Sequence, residues 1–348
     1  MNRMTKTKAI IYALAAAAFY AVNIPVSKIL LRVVGPTMMA ALMYLGAGIG
    51  IGIISLFGKK RRAQTEKLTK KDLPFVIGMI LLDIAAPIFL MLGVSIGSSA
   101  NASLLGNFEI VATTVIAMVF FGEIVSKRLW AAIALITLSS ILLSFEGTDS
   151  FKFSYGSLFV LLAAVCWGFE NNCTRNISSK STYEIVVLKG VFSGLGSLLI
   201  AVVRQEAFPG LKYVMAALLL GFVAYGLSIF LYVRAQNILG AAKTSAYYAI
   251  APFVGALFSF VLLREQLSWI YFAALLIMIA GSLLVVADTM LRHHAHEHLH
   301  TFTHTHDGTT HTHTVAHSHE HNHYSTDEKH GHHHSVKELE RLPGAFHL

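Results

Sequence analysis

The sequence predicts an all-α integral membrane protein with ten transmembrane helices, followed by a disordered histidine-rich C-terminal tail. Charged residues make up only 13% of the 348 residues, whereas an ordinary soluble domain has about 25%. Apolar runs of about 18 or more residues, each able to cross a hydrocarbon core of roughly 30 Å as a helix, recur up to Val286. All 18 histidines lie beyond that point, between His293 and His347.

The ends of the predicted spans follow from charge clusters and from glycine, proline and serine breaks. The first apolar run begins like a signal peptide, after Arg3, Lys6 and Lys8, but it continues past Pro25. We therefore expect an uncleaved first span. Numbered one to ten along the chain, the spans cover approximately residues 9–33, 37–57, 74–93, 99–121, 129–145, 156–176, 184–203, 213–233, 241–262 and 269–287.

The distribution of basic residues predicts the orientation of these spans. The turn between Val94 and Ser98 carries no charge. The loop between spans two and three is strongly basic, with Lys59, Lys60, Arg61, Arg62, Lys67, Lys70 and Lys71. Because cytoplasmic loops of membrane proteins are enriched in Lys and Arg, we expect a multi-pass protein of the cell membrane (the inner membrane of a bacterium) with both termini in the cytoplasm.

An internal repeat divides the membrane part into two halves. Residues 19–23 (Phe-Tyr-Ala-Val-Asn) match residues 166–170 (Cys-Trp-Gly-Phe-Glu), and Phe120–Glu123 after span four matches Leu262–Glu265 after span nine. The predicted domains are the five-helix repeats 1–146 and 147–288 and the tail 289–348. Because five is odd, the second repeat enters the membrane from the opposite side. Such inverted repeats are common in secondary transporters, whose substrate site lies near the membrane midplane.

These features resemble the drug/metabolite transporter superfamily, of the EamA type. The resemblance covers residues 9–287 and rests on the paired first and sixth spans and on four short motifs: Gly122-Glu123, Arg264-Glu265, Pro252 and Gly281. It implies an exporter of small metabolites, such as amino acids or drugs, with a central cavity lined by spans one, three, four, six, eight and nine.

The chain departs from that family pattern at two positions. The position in span four that matches Pro252 is Ile110, preceded by Glu109. Span two carries Tyr44 where a basic residue is frequent in the family, whereas the corresponding position in span seven is Lys189.

Five ionisable residues lie at the depth of the bilayer: Lys28, Asp83, Glu109, Glu170 and Lys189. A charge there costs about 2.5–3.5 kcal/mol on insertion scales, which makes each residue a functional candidate. Burial favours the neutral form of a carboxyl group, so one or two of the acids could bind a proton or a cation that is coupled to transport. Alternatively, the lysines neutralise them in structural ion pairs.

Aromatic residues could stack on an organic substrate or cation beside these acids, or could simply fill space between helices. The predicted substrate and coupling cavity comprises Tyr20, Asn23, Asp83, Glu109, Trp167, Glu170, Tyr225 and Tyr248.

The tail repeats a His-x-His pattern. Neutral imidazole is a good ligand for Zn, Ni and Cu, so the tail is expected to bind these metals, although a solvated tail or a pH sensor remains an alternative. The predicted ligands are His294, His296, His298, His300, His304, His306, His311, His313, His317, His319, His321 and His323.

Three functional hypotheses follow. The leading one is a secondary exporter of a small metabolite with a metal-responsive cytoplasmic tail. The rival is a divalent-metal exporter for Zn, Ni or Co whose tail captures the substrate, and the third is a membrane-anchored metal store. No nucleophile triad or phosphate-binding loop is present, so we expect neither an enzyme nor a required cofactor, and no nucleic-acid partner. A homodimer is possible.

Overall fold

The computed structural model describes residues 3–57, 68–122, 125–146, 152–177, 180–239, 244, 247–306 and 309–324. Its contacts divide the chain into two units, Met1–Val286 and Ala287–Leu348. The first unit contains the predicted spans, and the second contains the histidine-rich segment.

Helices form at all ten predicted span positions of the first unit. Three spans are single helices in the first half: Pro36–Phe57 (span two), Leu73–Ile96 after the 3-10 turn Lys70–Asp72 (span three), and Lys127–Leu143 (span five). Three are single helices in the second half: Tyr155–Asn176 (span six), Thr182–Val203 (span seven) and Trp269–Met290 (span ten). The helix of span nine, Ala251–Leu263, follows helical residues at 247–248 and a turn at 249–250.

Three further spans are interrupted. Span one consists of the helices Arg3–Ala21 and Asn23–Leu30, and span four consists of Ser99–Leu105 and Phe108–Phe121. Span eight runs through the helix Leu211–Gly221, a π-helical turn at Phe222–Leu227 and the helix Ser228–Leu239. π-Helical turns are frequently found at functional sites.

Seven helical stretches in the described part of the chain are long and apolar enough to cross a membrane: 7–30, 36–56, 70–96, 99–121, 183–203, 211–232 and 269–288. Span five has 17 helical residues, about 26 Å at 1.5 Å per residue. Span six ends in a polar turn with Asn171, Asn172 and Arg175, and the helix of span nine is described over 13 residues. The prediction of several apolar membrane-spanning helices is confirmed.

Large apolar side chains cover the outside of this helical unit. Leu199, Leu276 and Leu283 are each more than 60% exposed. A water-soluble protein rarely exposes broad apolar surfaces of this kind, and lipid tails are their natural surroundings.

The packing of the spans repeats between the two halves. Span two packs against span seven, and span four packs against span nine. Span three packs against span six as span eight packs against span one. Each of these contacts maps onto itself or onto another when the two halves are exchanged.

A close helix approach, between spans two and seven, depends on glycine. A Cβ atom added to Gly190 would lie 2.5 Å from the Cα atom of Gly48, and Gly48 and Gly190 therefore allow the two backbones to touch. Small residues at a helix interface allow this kind of close backbone packing.

The loops after spans four and nine are also alike. Gly122 and Arg264 both end their helices in the left-handed conformation, with φ of 66° and 53°. The side chains of Ser126 and Ser268 then accept hydrogen bonds from the backbone N–H groups of Leu129 and Tyr271, which begins the next helix in each half.

The second unit contains two long strands. Leu291–His306 (β3) and Thr309–Tyr324 (β4) pair as an antiparallel hairpin. The His-x-His pattern and the interleaved threonines are compatible with strands, because alternation with a period of two and β-branched residues favour them. Residues 325–348 lie outside the described part. Two further short strands, Phe145–Glu146 (β1) and Lys152–Phe153 (β2), pair between spans five and six.

Candidate transport site

The centre of the candidate site is a lysine that two acids share. Lys189 Nζ in span seven lies 3.1 Å from Asp83 Oδ2 in span three and 2.9 Å from Glu170 Oε1 in span six. Both acids are fully buried or nearly so. The sequence predicts Lys189 as a partner that neutralises the acids, and the structure shows that it contacts both.

Tyr44 connects this ion-pair cluster to the aromatic residues. Its hydroxyl group donates a hydrogen bond of 2.9 Å to Asp83 Oδ1, and the indole N–H of Trp167 points to the same hydroxyl at 3.4 Å. The ring of Tyr44 lies 5.4 Å from that of Tyr225. Span two therefore supplies a central residue of the cluster through its tyrosine.

Tyr225, Tyr20 and Tyr248 continue the aromatic row. The ring of Tyr20 lies 6.0 Å from that of Tyr225 and 5.9 Å from that of Tyr248. The amide of Asn23 donates a 3.0 Å hydrogen bond to the Tyr225 hydroxyl group, and Ser27 bonds to the amide oxygen of Asn23. The interruptions of spans one and eight lie at this row, beside Asn23 and Tyr225.

Glu109 lies in the first turn after the interruption of span four. It accepts a 2.6 Å hydrogen bond from the Asn171 amide, which also bonds to Thr113. The neighbouring Glu170 accepts a hydrogen bond from Thr174. A chain of polar side chains therefore follows span six along its contact with span four.

The chemistry of the cluster is set by an imbalance of charge. Asp83, Glu170 and Glu109 provide three carboxyl groups, and Lys189 provides one ammonium group. When all are ionised, Asp83, Glu170 and Lys189 together carry one negative charge. The described side chains contain no group of three or more His, Cys, Asp or Glu residues arranged to hold a metal ion.

All eight cavity residues predicted from the sequence take part in these contacts, and the contributors outside the predicted set include Tyr44, Lys189 and Asn171. Lys189 has a sequence signal, since it is a charge inside an apolar run. Tyr44 and Asn171 are uncharged and lie 39 and 62 residues from their acidic partners, so no local pattern reveals them.

Polar contacts link the spans at the end of the bundle where spans one, three, seven and nine finish. Glu265 accepts hydrogen bonds from the backbone N–H groups of Ser99 and Ala100, at 2.8 and 2.9 Å, and from the Ser98 hydroxyl group. Glu265 thus caps span four from the other half of the molecule. The sequence places Glu265 next to the start of span ten, and the structure shows that its partner is a different helix.

Two more charged residues act at the same end. Glu206, also from the second half, accepts hydrogen bonds from the backbone of Thr37 and Met38 at the start of span two. The ammonium group of Lys28 donates hydrogen bonds to the carbonyl groups of Val94, Ser95 and Gly97, which end span three. Carboxylates at helix N-termini and cations at C-termini are favoured by the helix dipole.

Apolar membrane-spanning helices in two similarly packed halves, with a buried cluster of charged and aromatic side chains between them, define a membrane transport protein. The chain belongs to the EamA-like transporter family, whose model matches residues 7–145 and again residues 154–287. The family expected from the sequence is therefore confirmed, and the chain is a multi-pass membrane protein.

The comparisons with individual proteins agree with this class. An uncharacterised transporter from Methanothermobacter thermautotrophicus is 24% identical over 285 residues, which cover 76% of this chain and 82% of that protein. A protein crystal structure superposes with a TM-score of 0.59 at 15% identity, over 81% of this chain and 96% of the other. This second likeness concerns the fold alone.

Proposed function

We propose that the protein is a secondary active exporter of a small metabolite, which moves its substrate by alternating access between ten spans in two inverted repeats. Membership of a transporter family supports transport, and the double match of the family model supports the repeat. The helix contacts made by one half have equivalents in the other half, and this supports a pseudo-symmetric arrangement of the two halves.

The observation that carries the proposed coupling is the sharing of Lys189 by Asp83 and Glu170. One ammonium group balances one carboxylate, and the remaining negative charge is costly at bilayer depth. A proton bound by Asp83 or Glu170 removes that charge, and Lys189 then pairs with the acid that stays ionised. Release of the proton on the other side of the membrane restores the starting charge, so each transport cycle carries one proton.

Alternating access is supported by the contacts at the ends of the spans. In the predicted orientation, Glu265 holds the external end of span four to the loop after span nine. Glu123 is the counterpart of Glu265 in the repeat, at the cytoplasmic end. We expect Glu123 to cap the start of span nine when the cytoplasmic end closes and the external contact of Glu265 is released.

An organic substrate fits the described site better than a metal ion does. Lys189 occupies the position between two carboxylates where a divalent cation would otherwise bind, and its charge repels such an ion. The row of Tyr20, Tyr225 and Tyr248 offers ring faces to an organic molecule. A substrate with both an amino group and an apolar part would use the acids and the rings together.

The histidine-rich segment is proposed as a metal-responsive element in the cytoplasm. Its composition favours Zn, Ni or Cu over a metabolite. The rival function, export of a divalent metal captured by this segment, is favoured by the same composition.

Transport assays on the protein reconstituted in liposomes test the proposal. Radiolabelled amino acids and, separately, Zn²⁺ are offered under an imposed pH gradient, while an internal dye reports proton movement. We expect amino-acid flux that is coupled to protons and is lost in Asp83→Asn and Glu170→Gln. Proton-linked Zn²⁺ flux without amino-acid flux would establish the rival function, export of a divalent metal. If neither substrate is transported, the hypothesis that remains is a membrane-anchored metal store.

Asp72→Asn is the matched control for these variants. Asp72 is an exposed carboxylate that bonds only to Thr69 within its own turn among the contacts described, so its neutralisation should leave the proton coupling unchanged. Equal loss of coupling in Asp72→Asn would show that the effect is not specific to the cluster.

A further inference from the structure

The strand register of the histidine-rich hairpin sorts its residues by type. The residues of β3 and β4 pair one to one along the whole hairpin, from Leu291↔Tyr324 to His306↔Thr309. Every even-numbered position of β3 therefore faces an odd-numbered position of β4. Successive residues of a strand alternate between its two faces, so these positions make up one face of the hairpin.

Twelve of the thirteen histidines between 291 and 324 occupy that one face. The exception is His293, which is paired with Asn322 on the opposite face. The opposite face also holds the threonine pairs of the hairpin. The histidine face contains four directly facing pairs: His294↔His321, His296↔His319, His298↔His317 and His304↔His311.

We propose that this histidine face is a metal site of facing imidazole pairs, which binds Zn²⁺ or a similar borderline divalent ion and thereby stabilises the hairpin. Directly opposite residues of an antiparallel pair have Cβ atoms about 4.5–5.5 Å apart. Two adjacent facing pairs, such as His294↔His321 and His296↔His319, place four histidines at neighbouring positions of the strand register, and four is the number of ligands that tetrahedral Zn²⁺ requires. Three adjacent pairs lie in a row between His294 and His321.

The coupling of metal binding to the hairpin has a physical cause. An isolated two-stranded hairpin is at best marginally stable in water, and the histidine face has little apolar surface to bury. A metal ion that joins opposite strands holds the register, and its binding free energy becomes free energy of folding. The segment would then switch between a loose chain without metal and an ordered hairpin with metal.

This inference rests on the proposed role of the segment as a metal-responsive element, and it goes further in assigning the ligands. It differs from chelation by a flexible chain, which depends on the number and local density of histidines but not on the face that each histidine occupies. The two accounts can be separated by exchanging histidines with their sequence neighbours, which keeps the composition and moves each exchanged histidine by one residue.

The test uses the full chain in detergent micelles. In the permuted variant, His296→Glu with Glu297→His and His298→Leu with Leu299→His moves two histidines to the opposite face. Calorimetric titration with Zn²⁺ should show that the dissociation constant of the tightest site rises roughly tenfold or more, because facing pairs are lost. The matched control His293→Gln, on the other face, should bind as the natural chain does.

Amide hydrogen exchange provides a second readout that does not depend on affinity. Addition of Zn²⁺ should slow exchange across 291–324 in the natural chain and much less in the permuted variant. Unchanged affinity and unchanged protection after the permutation would overturn the inference in favour of flexible chelation. Metabolite flux measured on the same variants in liposomes is a separate result, so its absence would reject the proposed transport function without affecting the metal site.

Discussion

Lys189 is the residue on which the charge balance of the site depends. It contacts two buried acids, and its removal leaves both without their cation. Breaking a buried ion pair by removing one partner costs about 3–5 kcal/mol.

We therefore expect Lys189→Met to lower the thermal stability of the solubilised protein strongly. Adding Asp83→Asn and Glu170→Gln to that variant should restore much of the stability, because no buried charge is then unpaired, while proton coupling stays absent. Thermal unfolding followed by tryptophan fluorescence measures the first effect. A Lys189→Met variant as stable as the natural chain would argue against the shared ion pair.

Arg264 allows a second test at the scale of a single residue. It adopts φ of 53°, whereas its repeat counterpart in the same conformation, at φ of 66°, is Gly122. The left-handed region costs a residue with a side chain about 1–2 kcal/mol.

We expect Arg264→Gly to raise the free energy of unfolding by up to about 1 kcal/mol and Gly122→Ala to lower it by a similar amount. Gly210→Ala is the control, because Gly210 has φ of −59° and open space around its Cα. Denaturation of the three variants in the same detergent provides the comparison. Destabilisation by Arg264→Gly would mean that the arginine side chain contributes more than its backbone strain costs.

The ionisable residues of the site could be found from the sequence because charges inside apolar runs are costly and therefore conspicuous. Asp83, Glu109, Glu170 and Lys189 all have this signal. Their hydrogen-bond partners do not. Tyr44 resembles any aromatic residue of an apolar helix, and its role comes from a contact between spans two and three that only the fold creates.

At the scale of helices, the cap by Glu265 on span four is the contact that the proposed alternating-access cycle would have to break. The carboxylate receives two backbone N–H groups of span four, and hydrogen bonds to a charged group contribute about 1.5–3 kcal/mol each. Glu265→Ala should expose the start of span four, and hydrogen exchange there should be about tenfold faster or more.

The counterpart variant Glu123→Ala should leave exchange at the start of span four unchanged or slower, because it weakens the opposite end instead. Hydrogen exchange followed by mass spectrometry of peptides covering 97–106 distinguishes the two. Equal acceleration by both substitutions would contradict separate closures at the two ends.

The sequence predicts the helix positions well, because lipid demands long apolar stretches with all backbone hydrogen bonds made within the segment. The sequence does not predict the interruptions within the helices. The sequence predicts span four as one continuous helix, although it contains Gly106 and Asn107. The π-helical turn at Phe222–Leu227 has an apolar composition like that of the helices around it. Such breaks depend on packing against neighbouring helices rather than on local propensity.

For the whole molecule, the orientation in the membrane is the property that would link the proposed transport to the proposed metal response. The basic loop after span two predicts that both termini are cytoplasmic, which would place the histidine-rich hairpin on the side from which an exporter takes its substrate.

A fluorescent protein that matures only in the cytoplasm should therefore fluoresce when it is fused to the N-terminus and also when it is fused to the C-terminus. Fusions of a periplasmic phosphatase after Ser98 should be active, since this turn is predicted to be external. Termini on opposite sides of the membrane would contradict an even number of spans and, with it, two repeats of five.

The limits of sequence interpretation are clearest in the tail. The His-x-His pattern identified the twelve candidate ligands, yet the same alternation also has the period of a β-strand. Polar composition alone predicts disorder, whereas the register that puts the histidines on one face follows from the pairing of two strands of equal length.

The interrupted helices have a mechanical consequence for the proposed transport cycle. The helical hydrogen bonding of spans one, four and eight is interrupted or altered beside Asn23, Glu109 and Tyr225. In the proposed alternating access, each interruption would serve as a hinge between two half-helices, so that opening toward one side would need only the tilt of one half. The close contact between spans two and seven would then stay unchanged through the cycle.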